Sequence, residues 1–369
     1  MSDKIPNTAA FITNSKEDGQ FVTVGEAPYT NPSDDQLLIK SIAYAVNPTD
    51  WKHVEYGFSQ KGAIAGCDVS GVVEFVGANV EGFSKGDFVS SFLHGNTKPD
   101  RGAFEKFVVI DPQVTIKYPK KFPVDALKVG EYPAGEIKSF EGAASVTLGL
   151  ATVGLSFAGN LKISPLKSGN SDKYILIWGG ATATGILAIQ IAKHIYGLNV
   201  VTTASPKNHE FLKSIGADHT INYRDEDVIT QLNKFDFSYA FDIVASKETF
   251  QQVIDATKNS KHVKVDNLLF LGEKDVSIGD RSGELEFVPP TLAYAAVGYK
   301  LDAYGHTWVI DDDTSKRYKE FWFELLPNFI NDLKHANLKV LKPGFESANE
   351  AIDLLKHDKV SAEKVVFRS

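Results

Sequence analysis

The spacing of apolar and polar positions changes character along the chain. Up to residue 46, apolar residues come in short runs broken by turn chemistry. Ala9-Ala10-Phe11-Ile12 is followed by the turn Lys16-Glu17-Asp18-Gly19, then by Phe21-Val22-Thr23-Val24, then by a longer run, Gln36–Val46. Closely spaced short strands with Gly, Pro and Asp between them predict a β-rich, barrel-like domain. Asn47-Pro48-Thr49-Asp50-Trp51-Lys52 leaves that strand and opens a short helix, with Thr49 or Asp50 as its cap. Ile64–Gly77, Phe83–Val89 and Gly102–Val109 read as further barrel strands.

Further along, the period lengthens. Tyr174–Trp178 is a short, β-branched apolar run, expected as a buried strand. The small residues Gly179–Gly185, an apolar helix Ile186–His194 and a second strand Asn199–Ala204 complete a βαβ unit. Its physical use is to set a pyrophosphate on the helix N-terminus, where free N–H groups and the helix dipole favour anions. The alternation continues with a strand at Ser238–Val244, a helix at Thr249–Ile254 and a strand at Asn267–Gly272. An aromatic helix near Tyr318–Leu333, a segment Ala348–Lys356 and a closing stretch Lys359–Phe367 are expected to return to the first domain.

Gly180, Ala181, Thr182, Ala183 and Thr184 are the expected pyrophosphate cradle, although Ala181 and Ala183 stand where glycines are commoner. The alternative is a glycine-bearing turn that holds no ligand. An NAD-selective site carries an acidic residue at the end of the second strand, for the ribose 2′-hydroxyl. Here that place holds Ser205, then Pro206, Lys207 and Asn208, with no carboxylate before Glu210. A hydroxyl, an ammonium and an amide suit a 2′-phosphate. Tyr223 is placed to stack on the adenine or bond the same phosphate. NADPH is the expected cofactor, with NADH as the alternative.

At 369 residues the chain is expected to form two domains. A net charge of −8 argues against a nucleic-acid partner and an anionic membrane surface. There is no long continuous apolar run of bilayer length. Met1–Pro6 lacks an apolar core and a basic leader, so no secretory signal is expected. The single cysteine, Cys67, excludes an intramolecular disulfide and a multi-cysteine zinc site. A cytoplasmic location is expected, a nuclear one being the alternative.

The Asn47-Pro48-Thr49-Asp50 turn, the Gly66-Cys67-Asp68-Val69-Ser70-Gly71-Val72-Val73 strand, the Gly86-Asp87-Phe88-Val89 strand and the nucleotide unit stand in one order over nearly the whole chain. In this the sequence resembles the medium-chain dehydrogenase/reductase superfamily. Within it, it is similar to the zinc-independent branch: quinone-oxidoreductase-like proteins and the fungal enoyl-reductase-like group. The resemblance implies an α/β fold, a Rossmann doubly wound parallel sheet plus a GroES-like β-barrel catalytic domain. It places the barrel at 1–149 and 301–369 and the nucleotide domain at 150–300. Where zinc alcohol dehydrogenases carry a cysteine and a histidine ligand, this chain has Asn47 and Cys67, and the four-cysteine lobe is missing. No metal is expected.

The resemblance also assigns roles. Thr152 would meet the nicotinamide carboxamide, Leu271 and Gly272 would flank the nicotinamide half, and Val360 and Ser361 would reach the cofactor. Pro48, Thr49 and Asp50, in the turn that Asn47 opens, would also bind the cofactor. Asn47, Lys52 and Tyr56 are the candidate catalytic residues: Asn47 to position nicotinamide or substrate, Lys52 and Tyr56, four apart, to share a helix face. His94 reads as structural, and His53 is given no role. Hydride addition to a carbonyl puts full charge on oxygen, whereas addition to an enone spreads it into an enolate that needs only hydrogen-bond donors. The expected function is therefore reduction of the activated C=C of an enone or 2-alkenal, or of a quinone. The alternatives are an aldehyde reductase and a cofactor-binding redox sensor or scaffold without turnover. The expected partner is a small-molecule carbonyl or quinone, with the protein a monomer or homodimer.

Overall fold

The short runs of the first third become strands buried on both faces: along Leu37–Ala45 only Lys40 is exposed, and Phe88–Phe92 is buried throughout. The computed structural model describes residues 7–298 and 300–369. Its contacts divide the chain into two units, Met1–Leu148 with Val297–Val309 and His335–Ser369, and Gly149–Ala296 with Ile310–Lys334.

In the first unit, Leu37–Ala45 is the central strand. It pairs antiparallel with Asp68–Val76, with Phe107–Ile110 and with the closing strand Glu363–Arg368. Outward from these, Phe88–Phe92 and Thr115–Lys117 extend one side, and Asn337–Val340 and Gly130–Tyr132 the other. Asn7–Ile12 and Val22–Ala27 form a separate antiparallel pair. Ile39, Tyr44, Val69, Val73, Val89, Phe104 and Phe367 fill the core between them.

In the second unit, six parallel strands lie in the order His219–Ile221, Asn199–Thr203, Tyr174–Trp178, Phe237–Asp242, His262–Asn267, Glu284–Phe287. This is the order of a doubly wound nucleotide fold. The direction of winding reverses between Tyr174–Trp178 and Phe237–Asp242, and ligands of such sheets bind outside the carboxyl ends at that reversal.

Three expectations change. The expected strand Asn267–Gly272 ends at Asn267. The Asn267 carboxamide accepts the Leu269 and Leu271 N–H groups at 3.0 Å each, so the chain turns instead of extending. The aromatic segment does not return to the first unit, since 310–334 packs within the second. There the Phe321 ring lies so close to Gly154 that an added Cβ would come within 2.4 Å of it, and the Tyr196 and Phe321 rings stack at 6.5 Å. The first domain's second part is accordingly 297–309 and 335–369 rather than 301–369. Finally, Phe140–Asn160 is a helical run long and apolar enough for a bilayer, yet 94% of its most apolar window is buried in the protein, as a core helix would be.

One small element carries strain. Leu301–Ala303 and His306–Trp308 form a hairpin closed by Tyr304-Gly305, both at positive φ, 55° and 75°. That is a type I′ turn, which favours Asn-Gly. A tyrosine in the left-handed region costs about 1–3 kcal/mol and persists only where its surroundings hold it.

Candidate active site

In the second unit, the turn after Tyr174–Trp178 keeps glycine where geometry demands it. Gly179 has φ +91°. A Cβ on Gly180 would lie 2.0 Å from Thr202 Oγ1, and one on Gly185 2.4 Å from the Gly179 carbonyl oxygen. Tight turn, close strand packing and close helix packing are thus met by Gly179, Gly180 and Gly185, and Ala181 and Ala183 fall between the constraints. The helix starts at Ala183 with Thr182 as N-cap, its Oγ1 accepting the Gly185 N–H at 3.0 Å. Ala181, Thr182, Ala183 and Thr184 are half-buried beside these first-turn amides. The cradle fits the pyrophosphate of a dinucleotide.

At the end of the neighbouring strand, Ser205 Oγ lies 3.5 Å from the Tyr223 hydroxyl. Lys207 is exposed beside it in sequence, and Asn208 is half-buried. Arg224 stacks its guanidinium over the Tyr223 ring, 5.0 Å from the centroid. Sequence reasoning stopped at Tyr223, although the arginine is the next residue. Asp242 was also missed. It ends the strand at the reversal point, where its buried carboxyl accepts the Ala245 N–H at 3.0 Å and the Thr249 hydroxyl at 2.7 Å. Burial pushes it up to about 6. These bonds fix a loop whose Val244 side chain packs against Gly179. Thr152 is half-buried on the helix Thr147–Gly154, and Leu271 and Gly272 lie in the loop beyond Asn267.

In the first unit, the helix runs Pro48–Glu55, so its cap is Asn47 and not Thr49 or Asp50. Proline at the first helical position lacks only an N–H that would be unpaired anyway. Asp50 is fully buried. It accepts the Asn47 N–H at 2.8 Å and an Asn96 amide hydrogen at 3.0 Å, and burial raises it to about 6. It anchors the helix from below and presents nothing to a cofactor. The Asn47 carboxamide donates to Asp68 Oδ2 at 2.9 Å and accepts from the Lys364 ammonium, which also lies 3.5 Å from Asp68 Oδ2. Burial raises the Asp68 carboxyl, and Lys364 pulls it back down.

Cys67 is fully buried, 3.8 Å from Asn96 Nδ2. A catalytic zinc on this fold would need ligands at Asn47 and Cys67. Asn47 offers a carboxamide already bonded to an ammonium, whose charge repels a dication. The residues present do not fit zinc. The one group of possible ligands spaced for an ion among the described residues, Asp18, Asp353 and His357, is a different cluster, with Asp18 and His357 exposed and Lys356 bonded to Asp18.

Lys52 and Tyr56 do share a helix face, but it is the one away from buried Asp50, His53 and Val54. The Lys52 ammonium sits over the Trp51 ring at 5.7 Å, and partial burial lowers its pKa. Tyr56 is 58% exposed at the helix end, its ring 6.5 Å from Trp51. Val360 is half-buried against the core, and Ser361 is exposed. Pro48 is exposed and Thr49 half-buried. Instead, Thr49 Oγ1 meets His53 Nε2 at 2.8 Å, and the Tyr304 hydroxyl meets the same nitrogen at 2.6 Å. His94 Nε2 lies 3.5 Å from that hydroxyl. Burial lowers His53 to about 4 and His94 to about 3, so both imidazoles are neutral at neutral pH.

A barrel unit joined to a doubly wound nucleotide unit, with a phosphate cradle at the first βα turn, defines a dinucleotide-dependent dehydrogenase/reductase. The chain belongs to the medium-chain dehydrogenase/reductase superfamily, in its quinone-oxidoreductase and enoyl-reductase-like part. Residues 33–120 match the family described as alcohol dehydrogenase GroES-like domain, and residues 183–265 that described as zinc-binding dehydrogenase. The uncharacterized protein YNL134C of Saccharomyces cerevisiae is 33% identical over 99% of both chains. Trans-enoyl reductase TOXD of Cochliobolus carbonum is 34% identical over 72% of this chain and 82% of its own. The mycobacterial Rv1454c complexed with NADPH superposes with a TM-score of 0.68 at 19% identity, covering 98% of this chain and all of that one. The protein is an NAD(P)H-dependent reductase of this superfamily.

Proposed function

We propose that the protein is an NADPH-dependent reductase that moves hydride to the polarised C=C of an α,β-unsaturated carbonyl, or to a quinone. The observation that carries this reading is the Asn47–Asp68–Lys364 network. Asn47 stands in sequence where zinc-dependent relatives carry a ligand, and its carboxamide is already bonded to the Asp68 carboxyl and the Lys364 ammonium, so the chemistry that suits the site is one that spreads charge into an enolate. The trans-enoyl reductase names of relatives point the same way.

For the cofactor, Gly180, Ala181, Thr182, Ala183 and Thr184 would hold the pyrophosphate. Ser205, Lys207, Asn208, Tyr223 and Arg224 would hold the 2′-phosphate, two cations and two hydroxyls with no carboxylate before Glu210. Thr152, Leu271, Gly272, Pro48, Thr49, Val360 and Ser361 are the proposed contacts to the nicotinamide half. When bound, the cofactor supplies hydride. Asn47 would orient the reacting groups through the carboxamide that Asp68 and Lys364 hold in place. Lys52, its pKa lowered by partial burial, remains a candidate hydrogen-bond donor to the enolate oxygen, and Tyr56 a weaker one because of its exposure. A cytoplasmic enzyme acting on small molecules is the setting this fits.

The test is steady-state oxidation of NADPH, and separately NADH, against 2-alkenals, cyclic enones, quinones and saturated aldehydes. Turnover of enones and quinones but not of hexanal, with NADPH preferred, is the expected result. Equal or better turnover of hexanal moves the assignment to an aldehyde reductase.

A further inference from the structure

Three half-buried side chains of the first unit, Thr49, His94 and Tyr304, converge on one buried imidazole, His53. The longest-range member is Tyr304. Its hydroxyl is 2.6 Å from His53 Nε2 and 3.5 Å from His94 Nε2, and it bonds Thr49 as well. Its ring stands edge-on to Phe58 at 4.7 Å. It sits at a hairpin tip in a backbone conformation that an unconstrained tyrosine avoids. A phenol is held there by three polar groups, two of them imidazoles that burial keeps neutral. Strain of this kind, at a residue whose functional group is fixed by others, gathers at reactive sites.

We propose that Tyr304 is the proton donor of the reduction, with His53 and Thr49 as positioning residues; this rests on the alkene-reductase reading above. Hydride adds to the β-carbon of the conjugated alkene, and the π pair moves to the carbonyl as an enolate. The Tyr304 O–H bond then breaks as the hydroxyl swings from His53 Nε2, and its proton bonds to the α-carbon. The phenolate left behind is held by the Thr49 hydroxyl, and water returns the proton.

Tyr304→Phe keeps the ring and removes only the hydroxyl. Wild type and variant are assayed with NADPH and 2-methyl-2-cyclohexen-1-one in D2O, with folding checked by circular dichroism and NADPH binding by fluorescence titration. The expected variant binds NADPH as the wild type does and loses about 100-fold in kcat with little change in KM, as removal of a general acid predicts. The wild type sets deuterium at the α-carbon on one face, and the variant, protonated by solvent, gives both faces. A structural role alone would leave that stereochemistry intact. Wild-type turnover with unchanged kcat and unchanged α-stereochemistry in the variant overturns the proposal and leaves the alkene-reductase reading standing. A wild type that reduces no enone overturns both. Should Tyr304→Phe unfold, Thr49→Val tests the same hydroxyl cluster. A kcat loss with mixed α-stereochemistry supports the proposal, and single-face deuteration at wild-type rate overturns it.

Discussion

Replacing Lys364 with methionine removes the cation from the Asn47–Asp68–Lys364 network while keeping most of its volume. The Asp68 carboxylate is fully buried, and it would retain only the Asn47 amide at 2.9 Å and the Leu148 N–H at 2.8 Å. Breaking a buried pair in this way costs about 3–5 kcal/mol, because the remaining charge is uncompensated. For a domain of this size that lowers the melting midpoint of the first unit by about 6–20 °C. The loss depends on pH with a definite sign. Burial already raises the folded-state pKa of Asp68, Lys364 opposes this, and without the lysine it rises further. An acid with a raised folded pKa contributes stability that is present at low pH and is lost as pH rises through that value. The deficit of Lys364→Met should therefore be largest at pH 8 and shrink towards pH 5, as Asp68 takes up a proton. Scanning calorimetry at the two pH values measures it. The double variant Asp68→Asn, Lys364→Met should recover most of the loss. A deficit equal at both pH values, or a double variant no better than the single one, would refute the claim that the ammonium balances Asp68.

Two further outcomes are expected. If Arg224 holds a 2′-phosphate as proposed, Arg224→Ala removes one charge-assisted contact at an exposed site, worth about 1.4 kcal/mol, and should raise KM for NADPH about tenfold while leaving KM for NADH unchanged in steady-state assays. Burial pushes Glu105 up to about 8, and its carboxyl accepts from Asn7 Nδ2 at 2.7 Å. Folding of the wild type is thus favoured at low pH and weakened as pH rises through 8, and the thermal midpoint of Glu105→Gln should overtake that of the wild type between pH 5 and pH 8.

The nucleotide unit was legible in the chain because its determinants are local. A strand, a small-residue turn and a helix follow one another within residues 174–195, and the conformation that Gly179 requires is set by its immediate neighbours. The catalytic side was less legible. The spacing of Lys52 and Tyr56 correctly implies a shared face, but spacing does not say which face is buried, and Asp50 and His53 took that one. Lys364 and Tyr304 meet partners 317 and 251 residues away, and nothing local marks either. The end of the strand at Asn267 was hidden by apolar residues beyond it, since a side-chain amide, not composition, turns the chain.

Cys67 has a practical consequence. It is the chain's only thiol, and it lies wholly inside the first unit. A thiol reagent added to the native protein can react only when that unit opens, so labelling kinetics count openings of the barrel and are silent on the nucleotide unit. When labelling is slow against reclosing, its rate gives the opening equilibrium; when labelling outpaces reclosing, it gives the opening rate itself. The protein therefore carries its own single-site reporter, able to tell whether a ligand steadies the half of the chain that holds Asn47, His53 and Tyr304.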